Sequence, residues 1–210
     1  THVAGIAAAS GGNSIGVTGV AFGARILPVR ALGRCGGYTS DVADAIVWAA
    51  GGSVAGAPVN ANPAKVINVS LGGTGSCDVT SQNAINTARA KGSVVVVAAG
   101  NNNQTSTAQS PANCAGVIAV AATGKSGGKA SYSSFGTNVT IAAPGGDAGA
   151  GILSTLNAGT TTPGADSYAS YMGTSMATPV VSGVVALMFS VNKTLTPDQI
   201  SSMLKASARA

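Results

Sequence analysis

The most constraining feature of the sequence is a short run of small residues that leads into a long apolar run. Residues 173–179 read G-T-S-M-A-T-P, and a mostly apolar stretch over residues 180–189 follows. The pattern predicts a buried helix with Ser175 at its N-terminus, where the hydroxyl is exposed and close to the positive end of the helix dipole. A serine in that position is either a helix cap or a nucleophile, and this segment alone allows both.

Short β-rich runs occur along the chain and alternate, in its first half, with helical patterns. Because such alternation indicates βαβ crossovers, it predicts a parallel sheet covered by helices, and therefore an α/β fold. The sequence contains no internal repeat and no convincing linker, so we expect residues 1–210 to form a single domain. The predicted strands are 24–31, 65–71, 93–98, 116–122 and 138–142, and the predicted helices are 41–50, 78–91, the helix after Ser175 and a last helix capped by Thr196.

Three further stretches precede the serine segment and strengthen the interpretation of Ser175 as a nucleophile. They are T-H-V-A-G at residues 1–5, S-L-G at residues 70–72 and A-A-G-N at residues 98–101. Together with G-T-S-M-A-T-P, and in this order, they resemble the motifs of subtilisin-like serine proteases. The resemblance spans the whole chain. It implies the subtilisin-like three-layer fold with a mostly parallel central sheet, and a secreted, extracellular endopeptidase that acts on polypeptide substrates.

The resemblance also implies a role for particular residues in catalysis. Ser175 corresponds to the nucleophile, and the side-chain amide of Asn101 to the donor that binds the oxyanion. Without Ser175, the sequence would favour Asn101 as a residue that opens a turn. His2 is the only histidine in the chain. It matches the second histidine of the family segment H-G-T-H-V-A-G, which is a structural residue, so we reject it as the general base.

The catalytic base and acid are therefore expected outside this sequence. In the family the order along the chain is Asp, His, Ser, which places both partners of Ser175 before Thr1. The family also continues beyond the last predicted helix. We accordingly expect a fragment whose fold is incomplete at both ends, which is inactive alone and which is accompanied by an N-terminal segment of the same protein.

The resemblance further assigns two walls of a pocket for the substrate side chain. Neither wall contains an acidic residue, so we expect the pocket to accept large apolar side chains with broad tolerance. The substrate backbone would lie between a glycine-rich turn and the first wall, adding a strand to each. The first wall is Ser70, Leu71 and Gly72, the opposite wall is Ala98, Ala99 and Gly100, and the turn contains Cys35, Gly36 and Gly37.

A glycine-rich loop near the N-terminus resembles a calcium-binding loop of the family. The candidate ligands are the Asn13 side chain and the backbone carbonyls of Ile15 and Val17. These oxygen ligands suit Ca²⁺, which would have a structural role. An ordinary loop rich in Asn and Gly explains the same residues.

The three cysteines leave their pairing open. Cys35 follows predicted strand 24–31 and Cys77 follows predicted strand 65–71, so both are expected at the carboxyl edge of one sheet. We therefore predict a Cys35–Cys77 disulfide. Free thiols remain an alternative because spacing does not fix connectivity. Cys114 would then be free or paired outside this sequence.

Composition argues against two classes of partner. The net charge is +5, but the 11 Lys and Arg residues are scattered and form no phosphate-binding stripe, so we expect no nucleic acid. The longest apolar run is too short to span a bilayer, so we expect no membrane contact. We expect a monomer.

Two other functions compete with a peptidase. An α/β-hydrolase esterase needs G-x-S-x-G with a histidine after the serine, whereas position 177 is Ala and no histidine follows Ser175. A pseudoprotease that binds peptide without cleaving it would retain the same cleft.

Overall fold

A parallel sheet of four strands forms the centre of the computed structural model, which describes residues 1–209. Its strands are β1 (Val66–Val69), β3 (Val94–Ala98), β5 (Ile118–Thr123) and β6 (Val139–Pro144), in the spatial order β1-β3-β5-β6. All four were predicted from the sequence. Every residue of β3 is buried, as expected for a run of valines in a sheet covered on both faces.

Helices cover both faces of this sheet, so the fold has the predicted three-layer α/β arrangement. On one face lie α2 (Thr39–Ala49) and α3 (Val79–Ala90), which pack against Val95 and Val97. On the other face lie α4 (Thr174–Val191) and α5 (Pro197–Ser207), which form a hydrophobic cluster with Val94 and Val96. The alternating direction of the side chains along β3 thus divides its valines between two hydrophobic clusters. A short helix, α1 (His2–Ala8), contacts α4.

The two C-terminal helices begin where the sequence predicts. The Thr196 hydroxyl accepts the N–H of Gln199, and the Gln199 side chain accepts the N–H of Thr196, which is a complete capping box with Pro197 at the first helical position. Helix α4 has 18 residues and a mean hydropathy of 1.6, so length and composition alone would allow it to cross a membrane. Its packing against the sheet, with 56% of that window buried, is that of a core helix.

The prediction of a strand over residues 24–31 is wrong. These residues follow an irregular, mostly exposed path and form no ladder with the sheet. A cavity of about 810 Å³ separates them from β1, and Ile26, Val29, Val66 and Ile67 are among the residues that line it. β1 lies at the edge of the sheet, so the β-rich segment has no partner within residues 1–209.

Two antiparallel pairs were not predicted. Short strands β2 (Gly73–Thr74) and β4 (Gln109–Ser110) pair with each other, and β7 (Ile152–Asn157) pairs with β8 (Asp166–Tyr171). β2 and β4 have two residues each, too few for a period to be visible. In β7 and β8 only Ser154 is buried. A pair of strands without a buried face needs no alternation of apolar and polar residues, and that alternation is the pattern by which a strand is recognised in a sequence.

The predicted Cys35–Cys77 disulfide is also wrong. Cys77 is bonded to Cys114, and their Cα atoms are 5.1 Å apart. The β2–β4 pairing explains this, because it brings the chain before Cys77 against the chain before Cys114; the Asn113 side chain, for example, donates to Gly75 O at 2.8 Å. Cys35 lies in an exposed turn beyond the segment that does not join the sheet, and among residues 1–209 it is unpaired.

Candidate active site

Ser175 is the second residue of α4 and lies at the carboxyl edge of the sheet. Gly173, the residue before the helix, has φ of +154°, a conformation that favours glycine, and its N–H is held by Gly145 O at 3.0 Å. The first backbone N–H groups of a helix have no acceptor within it. The Ser175 N–H is therefore at the positive end of α4, beside its own hydroxyl.

Ser175 and Ser70 hold each other through reciprocal hydrogen bonds. The Ser175 hydroxyl donates to Ser70 O at 3.2 Å, and the Ser70 hydroxyl donates to Ser175 O at 3.0 Å. Two further side chains extend this network, because Asn68 Nδ2 donates to Ser70 Oγ and the buried Ser182 donates its hydroxyl to Asn68 Oδ1. The end of β1 is thus fastened to the start of α4.

Asn101 lies just after β3 and is fixed by the residue that precedes Ser175. Its Oδ1 accepts both the backbone N–H and the hydroxyl of Thr174, each at 2.8 Å. Because both bonds use the oxygen, the amide is oriented with Nδ2 free to donate on the other side. A Cβ placed on Gly173 would lie 3.6 Å from that Nδ2, so the donor is beside the start of α4.

Thr174 is a site residue that sequence reasoning missed. It is completely buried, and its hydroxyl donates to Asn101 and lies 3.3 Å from the N–H of Gly100. One side chain therefore connects the predicted oxyanion donor, one predicted pocket wall and the nucleophile segment. The only signal in the sequence was its place next to Ser175 in G-T-S.

His2 is packed in the structure rather than presented to the cleft. Its side chain is 5% exposed, its Nε2 lies 2.9 Å from Ala169 O, and its ring stacks on Tyr171 with centroids 4.5 Å apart. These contacts tie α1 to β8. They agree with the structural role that the sequence analysis gave it.

The two predicted pocket walls follow neighbouring strands. Ser70, Leu71 and Gly72 follow β1. Ala98 ends β3, which pairs with β1 in parallel, and Ala99 and Gly100 follow it. The first wall becomes more exposed towards Gly72, whereas Ala98 and Ala99 are buried. Both walls are attached to α4, through Ser70 and through Gly100.

The third predicted substrate segment stands apart. Cys35, Gly36 and Gly37 are exposed and belong to a tight turn in which Gly33 and Gly36 bond each other, with Gly33 N donating to Gly36 O at 2.8 Å. This turn follows residues 24–31, so its place beside Ser70–Gly72 remains a prediction.

The candidate calcium loop offers oxygen donors of the right type but no negative charge. Asn13 and Ile15 line a depression of about 320 Å³ together with Val17 and Tyr168. Asn13 Oδ1 accepts the N–H of Ile15 at 3.1 Å, which fixes the side chain, and its carbonyl retains a second lone pair. Among residues 1–209 no group of three His, Cys, Asp or Glu side chains could hold a metal. The amide and carbonyl oxygens of the loop are ligands of the type that a hard cation accepts, and all of them are neutral.

Two titratable groups support the loops around Gly173. Burial raises the pKa of Tyr132, and its hydroxyl bonds to Gly145 O and Gly146 O. Asp147 has a lowered pKa because the Ser131 hydroxyl and N–H both donate to its carboxylate. The loop that accepts the Gly173 N–H is therefore held by a neutral phenol and a charged carboxylate.

A family model, described as the Subtilase family, matches residues 1–210. A curated relative named "Extracellular protease", from Xanthomonas campestris pv. campestris, is 62% identical over 211 residues, which cover 100% of this chain and 36% of that protein. The "Extracellular basic protease" of Dichelobacter nodosus is 47% identical over 208 residues, covering 97% of this chain and 34% of its own length. The chain thus spans about a third of these two relatives.

Solved structures agree with this match. A structure described as proteases from Pseudoalteromonas arctica PAMC 21717 superposes with a TM-score of 0.97 and 55% identity, covering 100% of this chain and 63% of that one. A cold-adapted subtilisin-like serine proteinase has a TM-score of 0.78 and 33% identity, with 98% of this chain and 66% of that chain covered. The fold is therefore subtilisin-like.

Proposed function

The chain belongs to the subtilase family, and we propose that it is the part of a secreted serine endopeptidase that carries the nucleophile and the oxyanion donor. Ser175 attacks the carbonyl carbon of the peptide bond and forms an acyl-enzyme, which water then hydrolyses. The Asn101 amide and the Ser175 N–H stabilise the oxyanion of each tetrahedral intermediate. The names of the two relatives, both called extracellular, support secretion.

The observation that carries this proposal is the fixed Asn101 amide beside Ser175. Its oxygen already accepts two hydrogen bonds from Thr174, so its Nδ2 is left to donate where α4 begins. A donor that is oriented before the substrate arrives costs no reorganisation when charge develops. An asparagine that merely opened a turn would not need both Thr174 groups.

We propose that a segment of the same protein outside residues 1–210 fills the cavity beside β1. The unpaired edge of β1 and the apolar side chains around the 810 Å³ cavity would suit an added, extended strand. The family resemblance implies that this region also supplies the Asp and His. Without them Ser175 has no base, so residues 1–210 alone are expected to be inactive.

The accompanying segment can be tested by hydrogen exchange. In the full-length protein the edge amides of Val66–Val69 should exchange more slowly than in the 210-residue chain, because a neighbouring strand covers them. The amides of β3 are the internal control and should exchange slowly in both. Equal exchange at β1 in the two samples would contradict the proposal.

The catalytic assignment is tested with a serine-directed phosphonyl fluoride and with two variants of the full-length protein. The reagent should label Ser175. Asn101→Ala should lower kcat by about 10²–10³ with little change in KM, a magnitude taken from subtilisin, in which this loss is known, and not from this structure. Asn102→Ala, at an exposed neighbouring position, is the matched control. Near-native kcat in Asn101→Ala would remove Asn101 from the mechanism.

The pseudoprotease alternative predicts a different outcome of the same experiment. The full-length protein would then bind peptides but would neither cleave them nor be labelled at Ser175. Labelling together with cleavage excludes it.

We also propose that the loop containing Asn13, Ile15 and Val17 contributes neutral ligands to a structural Ca²⁺. Calcium binding is general among subtilases, and the donor types of the loop suit this ion. A chelator should then lower the Tm of the full-length protein, and Asn13→Ala should reduce that dependence on calcium. A Tm that is unaffected by chelation would refute the site.

A further inference from the structure

The backbone carbonyl of Ser175 lacks the partner that a regular helix would give it. In an α-helix each carbonyl accepts the N–H of the residue four positions later, and for Ser175 that residue is Pro179. Proline has no N–H, so this bond is absent. The Ser70 hydroxyl takes its place, because it donates to Ser175 O at 3.0 Å. The first turn of α4 is therefore completed by a side chain that follows β1.

Asn68 lies on the face of β1 that α4 covers, and both ends of its amide are hydrogen-bonded. Because side chains alternate along a strand, Asn68 shares this face with Val66, which packs against the cluster under α4, and with Ser70. Its Nδ2 donates to Ser70 Oγ at 2.9 Å, and its Oδ1 accepts the hydroxyl of the buried Ser182 at 2.8 Å. Ser182 lies seven residues after Ser175, on the same face of α4. Three side chains thus connect the third turn of α4 to its first turn.

The direction of these hydrogen bonds decides where the Ser70 hydroxyl points. A hydroxyl has one proton to donate, and its oxygen accepts. Because Asn68 Nδ2 donates to the Ser70 oxygen, the Ser70 proton is left for Ser175 O. Ser182 Oγ is 2.8 Å from Asn68 Oδ1 and 3.1 Å from Thr178 O, so the shorter bond is the one that holds the amide in this direction. If the amide were reversed, Asn68 would accept the Ser70 proton and Ser175 O would lose its donor.

We propose that Asn68 is a positioning residue for the nucleophile. It directs the Ser70 hydroxyl to Ser175 O and thereby replaces the helical hydrogen bond that Pro179 removes. This inference rests on the proposed peptidase function and adds to it a residue that acts through Ser70. The Ser175 hydroxyl itself donates to Ser70 O at 3.2 Å, so both ends of the nucleophile depend on the position of Ser70. A misplacement of about 1 Å in an active site costs about 10²-fold in rate, so a small shift of this turn affects catalysis.

The kinetic test uses the full-length protein, because Asn68 also lines the cavity that an accompanying segment would cover. Asn68→Asp keeps the shape of the side chain but, when ionised, only accepts hydrogen bonds, so the Ser70 proton turns to it and Ser175 O loses its donor. On the plateau of the pH profile, where the pKa of the base does not enter, kcat should fall by at least about threefold to tenfold, the value of one neutral hydrogen bond. KM should change little.

Two further variants separate this role from a general loss of packing. Ser182→Ala removes only a hydroxyl, so the protein should fold even if Asn68→Asp does not, and its freed Asn68 amide should lower kcat by a smaller factor. Ser190→Ala removes an exposed hydroxyl of the same helix, which donates to Leu187 O at 2.7 Å, and should leave kcat and KM unchanged.

A second measurement does not depend on catalysis. Within residues 1–210 serine precedes methionine twice, at Ser175–Met176 and at Ser202–Met203. Labelling serine with ¹³C at the carbonyl and methionine with ¹⁵N therefore isolates the NMR signals of these two carbonyls, and the signal that is lost in Ser175→Ala is assigned to Ser175. In Asn68→Asp this signal should move upfield, because its carbonyl loses a hydrogen bond. The Ser202 signal is the internal control and should stay in place.

The two measurements have distinct outcomes. An unchanged Ser175 carbonyl signal in both Asn68→Asp and Ser182→Ala overturns the proposal. A shifted signal with unchanged kcat, or with a change in KM alone, overturns the positioning role and leaves a structural network. If the wild type neither cleaves peptides nor is labelled at Ser175, the peptidase proposal fails, while the carbonyl signal still decides whether Asn68 directs the Ser70 hydroxyl.

Discussion

The two flanks of the sheet both contain β-branched residues but have different environments. On the closed flank, β3, β5 and β6 pair with one another and lie under α4. On the open flank, β1 ends the sheet, and residues 24–31 lie across the 810 Å³ cavity from it. Both flanks contain runs of β-branched residues. β1 pairs with β3 as predicted, whereas residues 24–31 have no neighbouring strand and form no ladder.

The difference shows that β-propensity describes how well a segment suits a sheet and not whether it joins one. Ile26 and Val29 are β-branched like Val94 and Val96, yet the first two are 48% and 38% exposed and the last two at most 1%. Asn101 follows β3 and Ser175 begins α4, so the candidate nucleophile and oxyanion donor lie on the closed flank. Ser70, which exchanges hydrogen bonds with Ser175, connects them to the edge strand.

The largest effect on stability is expected from the cysteines. Cys77 and Cys114 cross-link the segments that follow β2 and β4, with a sequence separation of 37, and Cys35 is exposed on the open flank. In the full-length protein Cys114→Ser should lower the free energy of unfolding by about 4 kcal/mol in the chain-entropy model, because the unfolded chain loses a constraint. Denaturant unfolding without reductant measures this.

Cys35→Ser is the matched variant and should cost less than about 0.5 kcal/mol, as for an exposed side chain without a special role. A cost of several kcal/mol at Cys35 would mean that the open flank is itself cross-linked to chain outside residues 1–210. Both cysteine sites would then carry a stabilising cross-link.

Two isoleucines give the next largest contrast. Ile118 on β5 is 2% exposed and Ile26 on the open flank is 48% exposed. In the 210-residue chain Ile118→Ala should destabilise by about 2–5 kcal/mol, since it leaves a cavity in a packed core. Ile26→Ala should cost less than about 0.5 kcal/mol, because little buried surface is lost.

The same pair tests whether the cavity is filled in the full-length protein. A strand packed beside β1 would bury Ile26, and the cost of Ile26→Ala should then rise to about 2 kcal/mol or more. The cost of Ile118→Ala should stay the same in both proteins. If the cost at Ile26 remains near zero in the full-length protein, the proposed segment does not occupy this cavity.

The elements that could be predicted from the sequence are those whose partners lie within the chain. The four paired strands and helices α2 to α5 were predicted because their partners lie within the chain and their patterns are long enough to recognise. Ser175 and Asn101 were predicted from motifs, and their catalytic roles remain predictions. Thr174 was missed, because its importance depends on contacts with Asn101 and Gly100 that only folding creates. The Cys35–Cys77 pairing failed because it assumed that residues 24–31 join the sheet.

Helix capping provides a smaller contrast between the flanks. Asp78 caps α3, and its carboxylate accepts the N–H of Ser81 at 2.9 Å and the Ser81 hydroxyl at 2.7 Å. Tyr38 precedes α2, and its side chain makes no capping hydrogen bond. Residues of α2 line the cavity beside β1. Asp78→Ala should therefore cost about 1 kcal/mol, whereas Tyr38→Ala should cost almost nothing. Tyr38→Asp should stabilise by up to about 1 kcal/mol. Thermal unfolding of the three variants checks this, and a loss of stability in Tyr38→Asp would show that α2 cannot use a cap.

The smallest expected effect is the dependence of that cap on pH. The Ser81 N–H and hydroxyl bond to the ionised Asp78, so they hold the pKa of its carboxyl below its ordinary value of 3.8. A carboxyl with a lowered pKa in the folded state adds stability above its pKa in the unfolded chain, and this contribution is lost as the pH falls through the folded pKa. Wild type should therefore exceed Asp78→Asn in stability at pH 6, and the difference should shrink once the pH falls below the ordinary value. Because Asn is also a good cap, the difference isolates the charge and not the hydrogen bond. Unfolding free energies of both proteins between pH 6 and pH 2.5 measure it. A difference that stays constant across this range would mean that the charge on Asp78 does not stabilise α3.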